Sequence, residues 1–282
     1  MTNFERIRHY YKNFDEKNRL KNDASGRLEF LMTMSILEKH RPSADSTDNG
    51  TGTVNVLDIG GGAGAYAFPL AGRGYKVTLA DLSEALIAQA EAQKTEENAR
   101  NIVSCDVANA TNLSRYADNQ FDAVLLLGPL YHLLEESERK LCVSEIRRVL
   151  KPRGKVFASF IPYLSGSIGI VERYWFHPEQ VGIANLTEVF KSGKFNNLTN
   201  QGFQEGYYPK SAEIERLFAD NSFEKDLLRS VRGFGYQKED RLFKIEDNQI
   251  FDAIINLIDS TAEDKAIVET CGHAIYVGHK ID

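Results

Sequence analysis

The stretch VNVLDIGGGAG, residues 54–64, constrains this chain more than any other. An apolar run of strand length carries an acid, Asp58, and leads into five consecutive residues that are glycine or alanine. Residues without bulky side chains, placed directly after a buried strand, let backbone approach a ligand closely. A strand, a glycine turn and then a helix are the opening of a parallel α/β unit.

The rest of the chain keeps that rhythm. Strand-like apolar runs recur at 54–59, 76–81, 101–106, 121–128 and 154–160. Helical patterns lie between them, at 83–93 with Leu86, Ile87 and Ala90 on one face, and at 135–150 with Cys142, Ile146, Val149 and Leu150 on one face. Near-continuous apolar strands are expected where helices cover both faces of a parallel sheet. Right-handed crossovers then give an α/β, doubly wound, Rossmann-like sheet.

Before the first strand, Ile7, Tyr10, Tyr11 and Phe14 fall at helical spacing, and Phe30, Met34 and Leu37 mark a second helix. Residues 40–52 are polar and rich in helix breakers. After 160 the alternation stops, and 161–210 holds aromatics, prolines and glycines without a clean period. It resumes with a helix at 211–220, a strand at 225–233, a mostly helical piece at 234–270 and a last strand at 273–279. The expected organisation is therefore an N-terminal helical segment (1–52), a ligand-binding core (53–160), a cap insertion (161–210), and the remainder of the core with a helical insertion (211–282).

Composition narrows the function. The 282 residues carry a net charge of −6, with 26% charged and 42% hydrophobic, which is ordinary for a globular protein. A nucleic-acid enzyme usually carries a basic face, and no Lys/Arg cluster supplies one, so nucleic acid is not the expected partner. Three scattered cysteines without a C-x-x-C fit a reducing compartment and give no metal-ligand spacing. The charged N-terminus has no apolar core, and no window resembles a membrane span, so a cytoplasmic location is expected.

Two cofactors fit the glycine turn. Gly60 to Ala65 satisfies G-x-G-x-x-G/A, the dinucleotide pattern, and equally the D-x-G-x-G pattern that holds S-adenosylmethionine. Asp58 separates them. A carboxylate there repels a pyrophosphate, whereas S-adenosylmethionine carries an ammonium and a sulfonium. Asp81 ends the second strand, where a carboxylate accepts from two ribose hydroxyls in either cofactor. Asp106 ends the third strand, where it can accept from an adenine amino group.

VLDIGGGAG, LADLS, SCDV, FDAVLLLGPLYHL and RRVLKPRGKV, in this order and spacing, resemble the class I S-adenosylmethionine-dependent methyltransferases. The resemblance covers about 54–160 well and the last two strands loosely. It implies a seven-stranded sheet whose last strand runs antiparallel between the fifth and sixth. It implies Asp58, Gly60, Gly62 and Gly64 at the methionine end, Asp81 with Leu82 at the ribose, and Asp106 with Val107 at the adenine. Gly128 would line the methyl-transfer side.

GPLYHL, 128–133, lacks the polar residue and second proline that amino-methylating nucleic-acid enzymes place there. His132 is a candidate general base, with His177 as a rival on the cap. Tyr11, with Tyr10, reads equally as helix core or as a cover over the sulfonium. The expected reaction is methyl transfer from S-adenosylmethionine to O, N or S of a small molecule. A silent methyltransferase-fold binding or regulatory protein and an NAD(P)-dependent oxidoreductase stay open as alternatives.

Overall fold

The computed structural model describes residues 3–13, 18–42, 52–96, 98, 100–199 and 203–281. Three helices come first: α1 (Asn3–Asn13), α2 (Arg19–Asn22) and α3 (Ala24–Lys39). The alternating part follows as β1 (Asn55–Ile59), α4 (Ala67–Gly72), β2 (Lys76–Asp81), α5 (Glu84–Glu91), β3 (Ile102–Val107), β4 (Phe121–Leu126), α6 (Glu136–Val149) and β5 (Leu150–Phe160). Next come α7 (Tyr163–Phe176), α8 (Ile183–Ser192) and a small antiparallel hairpin of β6 (Lys194–Asn196) with β7 (Glu205–Tyr207). The chain closes with α9 (Ser211–Ala219), β8 (Phe223–Ser230), α10 (Glu239–Leu242), α11 (Asn248–Thr261), α12 (Lys265–Thr270) and β9 (Ala274–Lys280).

Seven strands form one sheet in the order β3-β2-β1-β4-β5-β9-β8. β1 pairs in parallel with both β2 and β4, and β9 lies antiparallel between β5 and β8. This is the topology the sequence led us to expect. Alternation along β1 sends Leu57 and Ile59 into the core beneath α6 and α9, and Val56 into the core beneath α3 and α4. Asp58 shares the face of Val56, so the strand carries one carboxylate into an apolar layer.

Some boundaries differ from the sequence reading for local reasons. β4 stops at Leu126 rather than running to Gly128, because Pro129 has no N–H to donate and opens a 3₁₀ turn, Pro129–His132. β5 starts at Leu150, and its pairing with β4 jumps from Phe121↔Leu150 to Ala123↔Lys155, so residues 151–154 are a bulge inside the strand. Phe14 and residues 43–51 lie outside the described residues. α3 is buried on more than the Phe30, Met34 and Leu37 stripe, since Leu28, Glu29, Met32 and Ile36 are buried too.

Candidate functional site

The order of strands reverses between β1 and β4. Their C-terminal ends part there, which is where open α/β sheets hold ligands. Gly60 takes φ +76°, and a Cβ on it would stand 2.6 Å from the Pro129 ring. Only glycine lets the turn after β1 pass this close to the turn after β4. Gly64 has φ +92° and packs on the Phe68 ring, so it shapes the turn from behind.

A cavity opens at this point, among the ends of β1, β2 and β4. Asp58, Gly60, Gly62 and Gly128 line it from the ends of β1 and β4. Asp81 and Leu82 line it from the end of β2, Tyr11 from α1, and His132 from the 3₁₀ turn. The structure thus gathers eight of the residues singled out in the sequence.

Three are not brought into it. Gly64 lies behind the turn. The Asp106 carboxylate accepts from Tyr116 Oη (2.9 Å) and Ser104 Oγ (3.0 Å) and pairs with Arg115 (3.0 Å). Val107 is 39% exposed beside it. Ala108, Asn109 and Ala110 form the wall in their place. The rival His177 lies on the surface after α7, next to Glu179.

The two gathered carboxylates differ. Asp81 is 8% exposed, and its oxygens accept from Gly62 N (2.9 Å) and Ser83 N (2.8 Å). It therefore ties the glycine turn to the end of β2. Asp58 is 1% exposed, and its Oδ2 has no hydrogen-bond partner among the described residues. Burial, reinforced by the Asp81 charge, pushes its pKa up to about 7. A buried acceptor left without a donor, at the edge of a cavity, is a site prepared for a cation.

On the opposite wall Tyr11 Oη and His132 Nε2 are 2.9 Å apart. Burial lowers the His132 pKa to about 4, so the imidazole is neutral at pH 7. α1 is fixed over the cavity by this bond, by Arg8 Nε donating to Leu82 O (3.1 Å), and by an ion pair of Arg6 with Glu205. Phe4 and Ile7 add an apolar cover.

A second cavity adjoins the first and shares Tyr11, Arg19 and Tyr131 with it. Aromatic rings of Tyr10, Phe203, Tyr208 and Tyr236 line it, together with Arg173 and Arg232. Behind it Glu29 is buried, receiving Arg19 Nη1 at 3.0 Å and facing His273 Nδ1 at 2.9 Å. Sequence reasoning missed Arg19, Glu29, Arg173 and Arg232, because isolated charged residues in helices and loops carry no periodic signal. The one available hint was Glu29 beside the apolar positions of α3.

Comparisons with known proteins agree with this geometry. A family model described as a methyltransferase domain matches residues 57–158. A glycine/sarcosine N-methyltransferase of Parasynechococcus marenigrum is 27% identical over 207 residues, 67% of this chain and 68% of its own. The chloroplastic magnesium protoporphyrin IX methyltransferase of Arabidopsis thaliana is 32% identical over 134 residues, 46% of this chain and 39% of its own. Among solved structures, the magnesium protoporphyrin IX methyltransferase of Synechocystis PCC 6803 with bound S-adenosylmethionine superposes with a TM-score of 0.59 at 16% identity, covering 99% of this chain and 98% of that one. Residues 57–158 are thus a methyltransferase domain of the S-adenosylmethionine-dependent type, with S-adenosylmethionine as cofactor, and the chain as a whole has the fold of such enzymes.

Proposed function

We propose that the chain transfers a methyl group from S-adenosylmethionine to an O, N or S atom of a small molecule held in the second cavity. The observation that carries this reading is that the two cavities meet at Tyr11, Arg19 and Tyr131. Relatives whose names specify small acceptors, glycine or sarcosine and magnesium protoporphyrin IX, support the size class.

The residues suit the cofactor. Asp58 Oδ2 is a buried acceptor without a donor and fits the ammonium. Arg19, on the same cavity, supplies the opposite charge for the carboxylate of the methionine end. Asp81 and Leu82 stand at the ribose position, and Asn109 with Ala108 and Ala110 form the wall available to the adenine. When bound, S-adenosylmethionine supplies a methyl group already activated on a sulfonium. The chain's task is then to orient the acceptor and keep water out, with Phe4, Ile7 and α1 as cover.

Tyr11 borders both cavities, so its Oη is placed to meet an acceptor X–H. His132 borders only the first. With a pKa near 4, His132 is a poor sink for a phenol or alcohol proton. We assign it to holding Tyr11 in place by accepting at Nε2, so that Tyr11 Oη accepts from the acceptor X–H and orients it, the proton passing to water once the methyl group has been transferred.

Thermal melts test the cofactor half of this reading. S-adenosylhomocysteine at a hundred times its Kd should add about 2.7 kcal/mol of stability, because it binds only the folded chain. NAD and NADP should add none, since a carboxylate at Asp58 repels a pyrophosphate at the glycine turn. Stabilisation by NAD alone would return the chain to the oxidoreductase alternative.

A further inference from the structure

The second cavity has a charge pattern that the methyl-transfer chemistry does not require. Its charged lining residues are Arg19, Arg173 and Arg232, and among the described residues no Asp or Glu lines it. Two of these cations are matched from behind. Arg19 pairs with Glu29 (3.0 Å) and Arg232 with Glu239 (3.0 Å).

Arg173 is different. Its Nη1 donates to the neutral amide oxygen of Gln180 at 2.7 Å, and its guanidinium stands 5.5 Å from the centre of the Phe195 ring. No carboxylate pairs with it among the described residues. Arg232 also keeps a donor in reserve, because its buried Nε has no hydrogen-bond partner among the described residues. A partly buried guanidinium without a counter-charge, facing a cavity with a spare N–H on another arginine, calls for an anion.

The other walls are flat. Tyr131 lies parallel to the His273 ring, 5.8 Å away and 6° between planes. Tyr236 carries the Arg232 guanidinium over its face at 4.6 Å. With Tyr10, Phe203 and Tyr208 they surround the space with ring faces and edges, which suit an aromatic body.

We propose that the methyl acceptor is an aromatic carboxylate, held with its ring between these side chains and its carboxylate on Arg173 and Arg232. This rests on the methyltransferase reading. Neither arginine lines the cofactor cavity, whereas Tyr11 and Tyr131 line both. The carboxylate is therefore a handle, and the atom that receives the methyl group is a second substituent pointing toward Tyr11.

The test uses the full chain, with S-adenosylhomocysteine affinity measured first by calorimetry. The probes are 3,4-dihydroxybenzoate and caffeate, each beside its neutral methyl ester, with thermal stabilisation and titration as readouts. The acids should bind and the esters should bind at least tenfold more weakly, because the ester removes the charge-assisted pair. Arg173→Gln should weaken acid binding about ten- to a hundredfold with S-adenosylhomocysteine affinity unchanged. Arg173→Lys should fall between, since it keeps the charge without the fork. Esters that bind as well as acids, acids that do not bind, or an Arg173→Gln variant that still binds acids normally would each overturn the proposal. Failure to bind S-adenosylhomocysteine would instead sink the methyltransferase reading, and the acid and ester arms, run without it, would still decide the anion site.

Discussion

Asp58 is a carboxyl group that the apo fold keeps partly protonated near neutrality. Burial and the neighbouring Asp81 hold its pKa near 7. An ammonium in the cavity pairs only with the ionised form, so cofactor affinity should weaken as pH falls below about 7, and binding at pH 7 should release a proton. Titration in two buffers of different ionisation enthalpy measures that release, and Asp58→Asn should abolish it. The apo protein follows the opposite sign. A carboxyl whose folded pKa is raised stabilises the fold below its unfolded pKa of about 4, and that contribution is lost as pH rises through about 7.

His132 gives a second residue-scale test. If it holds Tyr11, His132→Gln should keep turnover within several-fold, because the amide oxygen can still accept from Tyr11 Oη. His132→Ala should lose about ten- to a hundredfold. A general base would lose as much in both variants, about 10²- to 10⁴-fold. Asp58 and Asp81 were legible in the sequence because an acid at the end of a buried strand has few structural reasons to be there. Asp81 nevertheless has one, since it accepts from Gly62 N and Ser83 N. Asp106 carries the same signature and faces away, toward Tyr116 and Arg115. Strand position places a side chain at the right edge of the sheet; the loop that follows decides which way it turns.

Among elements, α1 has the clearest dependence on ligand. It reaches the rest of the molecule through Arg8 to Leu82, Tyr11 to His132 and Arg6 to Glu205, and Phe4 and Ile7 line the first cavity. A helix of eleven residues is marginal without such contacts. Filling the cavity should therefore slow hydrogen exchange in α1 more than in α6, whose buried face already packs on the sheet. Equal protection in both, with and without S-adenosylhomocysteine, would remove α1 as a cover. The helical period of α1 was plain from Ile7, Tyr10 and Tyr11, but a period cannot say what the apolar stripe faces. The opposite limit is α7. Its sequence, YLSGSIGIVERYWF, has apolar residues on every side, so no period stood out. The structure buries Ile170 against Val181, Val189, Phe195 and Tyr208 in a small separate core, while Trp175 and Phe176 remain exposed.

At the scale of the whole molecule, the sheet order was legible because five strand-and-turn motifs arrive in sequence at one edge, whereas the contacts that join the two ends of the chain were not. Those contacts centre on Glu29. It lies on α3 and accepts from Arg19 of α2, and it faces His273 at the entry to β9, with Arg232 after β8 close enough to act on it. Burial alone would raise the Glu29 pKa, but the charges and hydrogen bond of His273, with Arg19 and Arg232, hold it well below the usual carboxylate range. A depressed folded pKa stabilises the protein above the unfolded carboxylate pKa, near 4.5, and that contribution disappears as pH falls. Glu29→Gln removes the carboxylate charge that Arg19 and His273 share. Breaking a buried pair on one side costs about 3–5 kcal/mol, and partial exposure of Arg19 places the expected loss toward the lower figure. Denaturant melts at pH 7 should record that loss. The same melts repeated from about pH 4.5 downward should show the wild type declining more steeply than Glu29→Gln, because the variant has no proton to take up at this position. A variant as stable as the wild type at pH 7 would mean that apolar packing of α3, through Leu28, Met32 and Ile36, joins the N-terminal helices to the sheet without help from the charged cluster.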